Sequence, residues 1–241
     1  MSQKPKIAIL RWEQGITPPA FMQLEQMPGN STNLESYPFP VKLVEVKGAG
    51  VDTVITNPSE KLLADMIELS KKLVEEDGIE AITASCGFNA IFQEKMAEAL
   101  DVPVFLSSLL QVPFVQTIIG NGKKVGIVTA TASYLTEEHL RQCGIGKDVN
   151  PVVVGLEHNK EWNKLLDGSN EEADMNVVEQ EILGTVRAAV AEHPEIGAIV
   201  LECTDLPPFA QKLRKELGMP VFDFNSMISH VAMSITEMKN Y

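Results

Sequence analysis

The sequence has no long apolar run and no excess of basic residues. Lysine and arginine number 20 against 33 aspartates and glutamates, which gives a net charge of −13 at neutral pH. Such an acidic chain is poorly suited to bind a nucleic-acid backbone, and no stretch combines basic with aromatic residues. No run approaches the roughly 18 uninterrupted apolar residues of a membrane-spanning helix. The composition therefore predicts neither a nucleic-acid partner nor a membrane partner.

Cysteine is also scarce, with three residues in 241. The first residues lack the apolar stretch and cleavage site of a signal peptide, so we expect a cytoplasmic protein with reduced thiols. The sequence contains no CxxC, HxxxH or HExxH spacing, no complete Walker A loop and no GxGxxG after its first strand. These absences predict that neither a metal nor another cofactor is needed. The four histidines lie in or beside helical patterns, so no Cys–His nucleophile pair is predicted.

What the sequence does contain is an alternation of short apolar runs with longer segments of helical period. Strands are predicted at residues 6–10, 41–46, 79–84, 102–105, 125–129, 152–154, 198–201 and 220–222. Helices are predicted at residues 59–76, 89–100, 133–142, 171–192, 208–217 and 226–239, with a capping box at 169–172. Such alternation is typical of an α/β protein with parallel sheets covered on both faces.

An internal repeat divides the chain into two similar halves. Residues 79–105 match residues 196–222 with ten identities in 27 positions, including Cys86 with Cys203. The repeat predicts two pseudo-symmetric α/β domains, each a mostly parallel sheet flanked by helices, with the active site in the cleft between them. The expected bounds are 1–118 and 119–225, joined near the turn at 120–122, and a C-terminal helix at 226–241 is expected to pack back on the first domain. Residues 14–40, rich in proline, are predicted to be a long loop, either a lid or disordered.

Cys86 and Cys203 occupy equivalent positions, each just after an apolar strand and before a helix. Ligands of open parallel sheets bind at the carboxyl ends of strands, and a following helix N-terminus favours thiolates and anions. Two thiols on opposite sides of one cleft suit a reaction in which one removes a proton from carbon and the other returns one to the opposite face. A single cysteine in this position is more often a small core residue, which is the interpretation kept for Cys143.

These motifs resemble the aspartate/glutamate racemase superfamily, whose members are cofactor-independent enzymes of two α/β domains with a catalytic cysteine in each. Residues 202–207 (ECTDLP) resemble the family's GCTxxP, with Glu202 in place of the glycine, and Asp205 stands where members often have a His or Glu that assists the thiol. Residues 126–134 resemble the strand and turn whose threonines bind the substrate carboxylate. The first motif departs, since Gly87 follows Cys86 where classical members read CNTA. Arg11, Trp12 and Glu13 replace the expected residues after the first strand, although Glu13 is a candidate for the missing acid.

The candidate site residues follow from the repeat and the resemblance together. The catalytic set is Cys86, Cys203 and Asp205; the substrate-binding set is Arg11, Gly87, Phe88, Asn89, Thr129, Thr131 and Thr204. Arg11 overlays Thr129 in the repeat, so its guanidinium is expected to hold a second substrate carboxylate, against the alternative of a surface arginine paired with a loop acid. The threonines and Asn89 are equally interpretable as helix caps.

The sequence thus predicts an isomerase, a cofactor-independent racemase or epimerase acting on a small amino acid or related carboxylate. Alternatives are a maleate-isomerase-like or hydantoin-racemase-like reaction in the same cleft, or a non-catalytic ligand-binding protein of this fold. A homodimer is what the resemblance implies.

Overall fold

The computed structural model describes residues 4–15, 17–120, 122–166, 168 and 170–235. Within them the chain forms two four-stranded parallel sheets flanked by helices, which confirms the predicted fold class. The first sheet has the order β2-β1-β3-β4 and the second the equivalent order β6-β5-β7-β8. The strands are β1 (Ile7–Trp12), β2 (Val41–Val46), β3 (Ala81–Ala84), β4 (Val104–Phe105), β5 (Lys124–Thr129), β6 (Val152–Gly155), β7 (Ile196–Leu201) and β8 (Val221–Phe222).

The α-helices flank these sheets on both faces. They are α1 (Pro19–Glu25), α2 (Glu60–Asp77), α3 (Gln93–Ala99), α4 (Val112–Ile119), α5 (Glu137–Gln142), α6 (Lys160–Asn163), α7 (Met175–Glu192), α8 (Pro207–Leu217) and α9 (Phe224–Ile235). Shorter helical turns occur at Leu34–Ser36, Val51–Thr56, Gly87–Phe92, Ser108–Gln111 and Ala132–Tyr134. In the described part of the chain, no helix combines the length and the apolar character needed to cross a membrane.

Three helix boundaries differ from the sequence prediction. Helix α7 begins at Met175 because the Asp174 side chain accepts the free N–H groups of Asn176 and Val177; Ser169 of the predicted capping box lies outside the described residues. The predicted helices at 89–100 and 133–142 each divide into a 3₁₀ turn and a short α-helix. At the C-terminus, α9 is described as far as Ile235, and the rest of the predicted helix lies outside the described residues, as does Asn121 of the predicted joint.

Each half of the chain covers the sheet of the other half with the helix that follows its own last strand. Val112 and Val115 of α4 pack in one buried cluster with Val125 and Val200 of the second sheet. Correspondingly, residues of α9 pack against the first sheet, in a cluster containing Ile7, Ile9, Phe224, Met227 and Ile228. The last helix of the chain is therefore part of the core around the first strands.

The segment predicted as a long loop at 14–40 contains a helix, so the loop prediction is wrong for residues 19–25. This helix is α1, whose Ala20 and Leu24 are fully buried in the core of the second half. Helix α1 begins with Pro19 at its first position, where proline is tolerated because the N–H has no helical partner. The prolines that suggested a loop here therefore help to start a helix, and this helix brings the first half against the second cysteine motif.

Candidate active site

The two cysteine motifs lie at the carboxyl ends of equivalent strands and contact each other directly. Cys86 follows β3 by two residues and Cys203 follows β7 by two residues. The Thr204 hydroxyl donates to the backbone oxygen of Ser85 at 2.5 Å. On the same side, Ser108 of the first half donates to the carbonyl of Leu201 at 2.7 Å. These contacts across the two halves bring both thiols to one site.

The two departures from the family motifs face each other. Glu202 stands where members have glycine, and its carboxyl and backbone oxygens lie so close to Gly87 that a Cβ at residue 87 would overlap them. Gly87, in turn, stands where members have a larger residue after the first cysteine. The smaller side chain on one motif therefore leaves the space that the larger side chain on the other motif fills.

The surroundings of both thiols favour their protonated form. Each is partly exposed, yet loss of surrounding water raises its pKa well above the usual range, and the nearby carboxyls of Glu202 and Asp205 raise it further. A backbone N–H two residues along the chain, from Phe88 or Asp205, opposes this effect without overcoming it. Burial and like charge therefore oppose the lowering of the thiol pKa that is expected at helix N-termini, and the role of these thiols stays a prediction.

Glu202 is fully buried, with only one of its two carboxyl oxygens hydrogen-bonded. Thr129 donates to Oε2 at 2.8 Å, whereas Oε1 has no hydrogen-bond partner. Burial raises the pKa of this carboxyl to about 7, and the Thr129 bond acts in the opposite direction. An ionised carboxylate in this position carries a charge without a full set of partners, which is costly unless a proton or a cation reaches it.

Asp205 is the hydrogen-bonding partner of Cys203. The thiol donates to its Oδ2 across 3.7 Å, and the Asn30 amide donates to its Oδ1 at 2.9 Å. Burial raises the pKa of Asp205 to about 6, and the charge of Glu25 adds to the rise. Asp205 is therefore placed to exchange a proton with Cys203 near neutral pH.

Phe88 and Asn89 build the turn that carries Cys86. The Asn89 side chain and backbone N–H both donate to the carbonyl of Cys86, at 2.9 and 3.1 Å. Phe88 is buried and packs edge-on against Tyr134 and His139 of the second half. Both residues hold the first motif in place, and their predicted contact with substrate stays a prediction.

The turn after β5 already holds a carboxylate. Thr131 precedes the helical turn Ala132–Tyr134, and the N–H of Ala132 donates to both oxygens of Glu157, at 3.1 and 3.2 Å. The Thr129 hydroxyl is engaged by Glu202. The threonines predicted to bind a substrate carboxylate therefore lie beside two side-chain carboxylates of the protein itself.

Arg11 lies at the end of β1 and pairs with Glu25 of α1 at 2.8 Å, both side chains being mostly buried. The pair lines a cavity of about 350 Å³ together with Gln14, Thr32 and neighbours of α1. Glu13 accepts the N–H of Gly48 and is exposed, so it does not replace the missing family acid in the cleft. Arg11 therefore pairs with an acid, as the alternative interpretation predicted, although that acid, Glu25, lies on a helix and not in a loop.

The remaining thiol and the buried histidine have structural surroundings. Cys143 is buried in the core of the second half, and burial raises its pKa to about 12. His139 is buried, its Nδ1 lies 2.8 Å from the Thr136 hydroxyl, and burial lowers its pKa. Among the described residues, no group of three or more histidine, cysteine, aspartate or glutamate side chains is arranged to hold a metal ion.

Two residues of the site were not identified as functional from the sequence. Glu202 was visible only as a replaced glycine, and Asn30 lies in a segment without periodicity. Asn30 follows Gly29, whose backbone has φ +93. A Gly-Asn pair is typical of turns that need such a positive φ, so the sequence indicates a turn here. Nothing in the local sequence indicates that this turn reaches a residue 175 positions away.

A sequence profile of the Asp/Glu/hydantoin racemase family matches residues 88–232, more than half of the chain. The chain belongs to this family. Its two-sheet fold is shared with solved structures of racemases and of a decarboxylase.

Curated relatives include a dimethylsulfoniopropionate lyase of Durusdinium sp. clade D, 30% identical over 202 residues that cover 82% of this chain and 66% of the relative. Dimethylsulfoniopropionate lyase 3 of Emiliania huxleyi is 31% identical over 168 residues, covering 65% of this chain and 43% of the relative. The chain therefore spans two thirds or less of the length of these proteins. Among solved structures, an allantoin racemase from Pseudomonas fluorescens matches with a TM-score of 0.61 at 16% identity, over 95% of this chain and 89% of that one, which supports the fold.

Proposed function

We propose that this protein is a lyase that removes the proton beside the carboxylate of a small substrate carrying a positive charge, and that dimethylsulfoniopropionate is such a substrate. Cys203 is the base, because it is the thiol with a hydrogen-bonded carboxylate, Asp205, to receive its proton. Cys86 is close enough to raise the pKa of Cys203.

The observation that carries this proposal is a cluster of four acidic groups without a positive partner. Glu202 and Asp205 both raise the pKa of the two thiols, and no lysine, arginine or histidine of the described residues contributes to the pKa shifts of these four groups. A sulfonium placed here would favour the ionised carboxylates and would itself be stabilised by them. A purely anionic substrate would meet repulsion from the same groups.

The curated relatives supply the nature of the cation. They are dimethylsulfoniopropionate lyases, and the matched residues of the Durusdinium protein cover 82% of this chain. The racemase structures are too distant in sequence to favour one reaction over another. The similarity to the lyases therefore supports the proposed substrate more strongly than the shared fold supports any other.

The chemistry requires one base and no cofactor. Asp205 takes the proton of Cys203, and the thiolate removes a proton from C2 of the substrate. The C2–H electrons form the C2–C3 double bond, the C3–S bond breaks, and its electron pair leaves with sulfur as neutral dimethyl sulfide. The products are acrylate, dimethyl sulfide and a proton, which passes from the site to solvent.

The test is release of dimethyl sulfide and acrylate from dimethylsulfoniopropionate, measured by headspace gas chromatography and liquid chromatography. A matched control substrate is 3-(methylsulfanyl)propionate, which has the same chain without the positive charge and should neither react nor compete well. Failure of folded protein to release dimethyl sulfide, or equal binding of both compounds, would overturn the proposal.

Racemisation of a small amino acid is the second candidate. It is favoured by the equivalent positions of the two thiols, since inversion at carbon needs an acid/base group on each face whereas elimination needs only one. An ammonium group would satisfy Glu202 and Asp205 as a sulfonium does. Chiral chromatography after incubation with single enantiomers of acidic and neutral amino acids would detect this reaction, and D₂O would label the product at Cα.

A further inference from the structure

Asn30 reaches from the first half of the chain into the second cysteine motif. It lies between α1 and β2, is fully buried, and its Nδ2 donates to Oδ1 of Asp205 at 2.9 Å. The other carboxyl oxygen of Asp205 accepts from Cys203. Asn30, Asp205 and the thiol therefore form one hydrogen-bonded chain.

The orientation of the Asn30 amide is fixed by its own neighbours. Its Oδ1 accepts from the backbone N–H of Thr32 at 2.9 Å and is 2.8 Å from the Thr32 hydroxyl, which donates to it. A rotated amide would place its NH₂ group against the N–H donor of Thr32 and lose that bond. The NH₂ group consequently has one available direction, which is toward Asp205.

The backbone around Asn30 is fixed as well. The N–H of Ser31 donates to the carbonyl of Thr204 at 3.2 Å, and the Asn225 side chain donates to the carbonyl of Gly29 at 2.6 Å. At Gly29 the chain runs so close to Pro208 that a Cβ would lie 3.3 Å from its Cα. The amide is thus presented by a segment anchored on both sides.

We propose that Asn30 is a positioning residue for Cys203, since its amide holds the Asp205 carboxyl in place and turns Oδ2 toward the thiol. A hydrogen bond to the charged form of a carboxyl favours that form. Burial and the charge of Glu25 act in the opposite direction and raise the pKa of Asp205 to about 6, so the ionised carboxylate is present above that pH. Loss of the Asn30 bond should raise the pKa further and move the ionised range upward.

The charged and titratable groups around Asp205 come from three elements. Cys203 lies on its own turn, Glu25 on α1, and Cys86 in the first motif, where the charge of Asp205 raises the thiol pKa. Glu25 is itself paired with Arg11. None of these groups donates to Oδ1, so the amide of Asn30 acts on Asp205 in a way that its other neighbours do not.

The experiment measures the thiol directly, because the inference rests on the proposed role of Cys203 as a base but not on any substrate. The rate of alkylation of Cys203 by iodoacetamide is followed against pH by peptide mass spectrometry. In the wild-type protein the rate should rise near pH 6, because the ionised carboxylate of Asp205 can accept the thiol proton across their hydrogen bond, although its charge raises the thiol pKa. In Asn30→Leu, which keeps the side-chain size without the amide, the rise should move upward by about one pH unit.

The control is Asn225→Leu, which removes the hydrogen bond that holds Gly29 but leaves Asp205 untouched. It should keep the wild-type midpoint if the effect is electrostatic. If Asn30→Leu does not fold, Asn30→Asp keeps the shape, places a second carboxyl against Asp205, and should shift the midpoint in the same direction.

The proposal would be overturned if the pH midpoint of Cys203 alkylation were unchanged in the folded Asn30 variant, or if Asn225→Leu shifted it equally. Asn30 would then have a structural role only. Absence of dimethyl sulfide release would leave this result standing, so failures of the two proposals are distinguishable.

Discussion

At the scale of single residues, Glu202 is where burial and charge conflict most. Its carboxyl is fully buried, one oxygen is unpartnered, and burial raises its pKa to about 7 from 4.5. Residues kept under such a conflict are characteristic of functional sites, since a better-packed neutral residue would be more stable. The conflict also makes the stability of the protein sensitive to pH.

Glu202→Gln should therefore reduce the pH dependence of stability. A raised pKa means that folding favours the protonated form, so the contribution of Glu202 is fully present below about pH 4.5 and is lost as pH rises through about 7. The size of the effect is on the order of 3 kcal/mol. Urea unfolding of both proteins across pH should show the wild type losing stability relative to the variant between these values. Parallel curves would contradict the burial of an ionisable group here.

Cys86 and Cys203 should respond unequally to substitution if the protein is a lyase. Cys203→Ser removes the base of the elimination and should lower kcat/KM for dimethylsulfoniopropionate by at least about 100-fold, because a hydroxyl is far less acidic than a thiol. Cys86→Ser should cost clearly less, and Cys143→Ser should change little. Steady-state kinetics on the three variants measures this. Equal, severe losses at both Cys86 and Cys203 would favour the two-base racemase instead.

At the scale of elements, the strands were predictable and three helices were not. All eight predicted strands are present, with ends within two residues, because buried parallel strands are short runs of β-branched and other apolar residues. Helices α1 and α4 carry prolines near their starts, at Pro19 and Pro113, and α6 has four residues. The cysteines were found because they repeat, whereas Asn30 reaches its partner through the fold, and no local pattern encodes that contact.

Helix α1 should contribute measurably to stability. Leu24 is fully buried among residues of the second half, so Leu24→Ala should lower the free energy of unfolding by about 2–4 kcal/mol. Met22, on the same helix, is 44% exposed, and Met22→Ala should stay within about 0.5 kcal/mol. Urea unfolding compares them. Equally small effects of the two substitutions would contradict the packing of residues 19–25 as a helix with Leu24 in the core.

At the scale of the whole molecule, each half contributes one helix to the core of the other half. Residues of α4 lie in the core of the second sheet, although α4 precedes the predicted joint, and residues of α9 lie in the core of the first. We expect fragments divided at residues 120–122 to lack cooperative unfolding separately and to regain it when mixed, as measured by circular dichroism in urea. A second fragment that stops before α9 is the control and should not restore it. A first fragment that unfolds cooperatively alone would contradict this.

The position of α9 also bears on how the chain emerges from the ribosome. Ile7 and Ile9 are synthesised well before Phe224, Met227 and Ile228, which cover them. Until then one face of the nascent first sheet is bare, and exposed apolar surface of this kind is prone to aggregation. The protein should therefore complete its folding only after translation has passed α9, and its yield in cells should depend on chaperones that shield nascent chains.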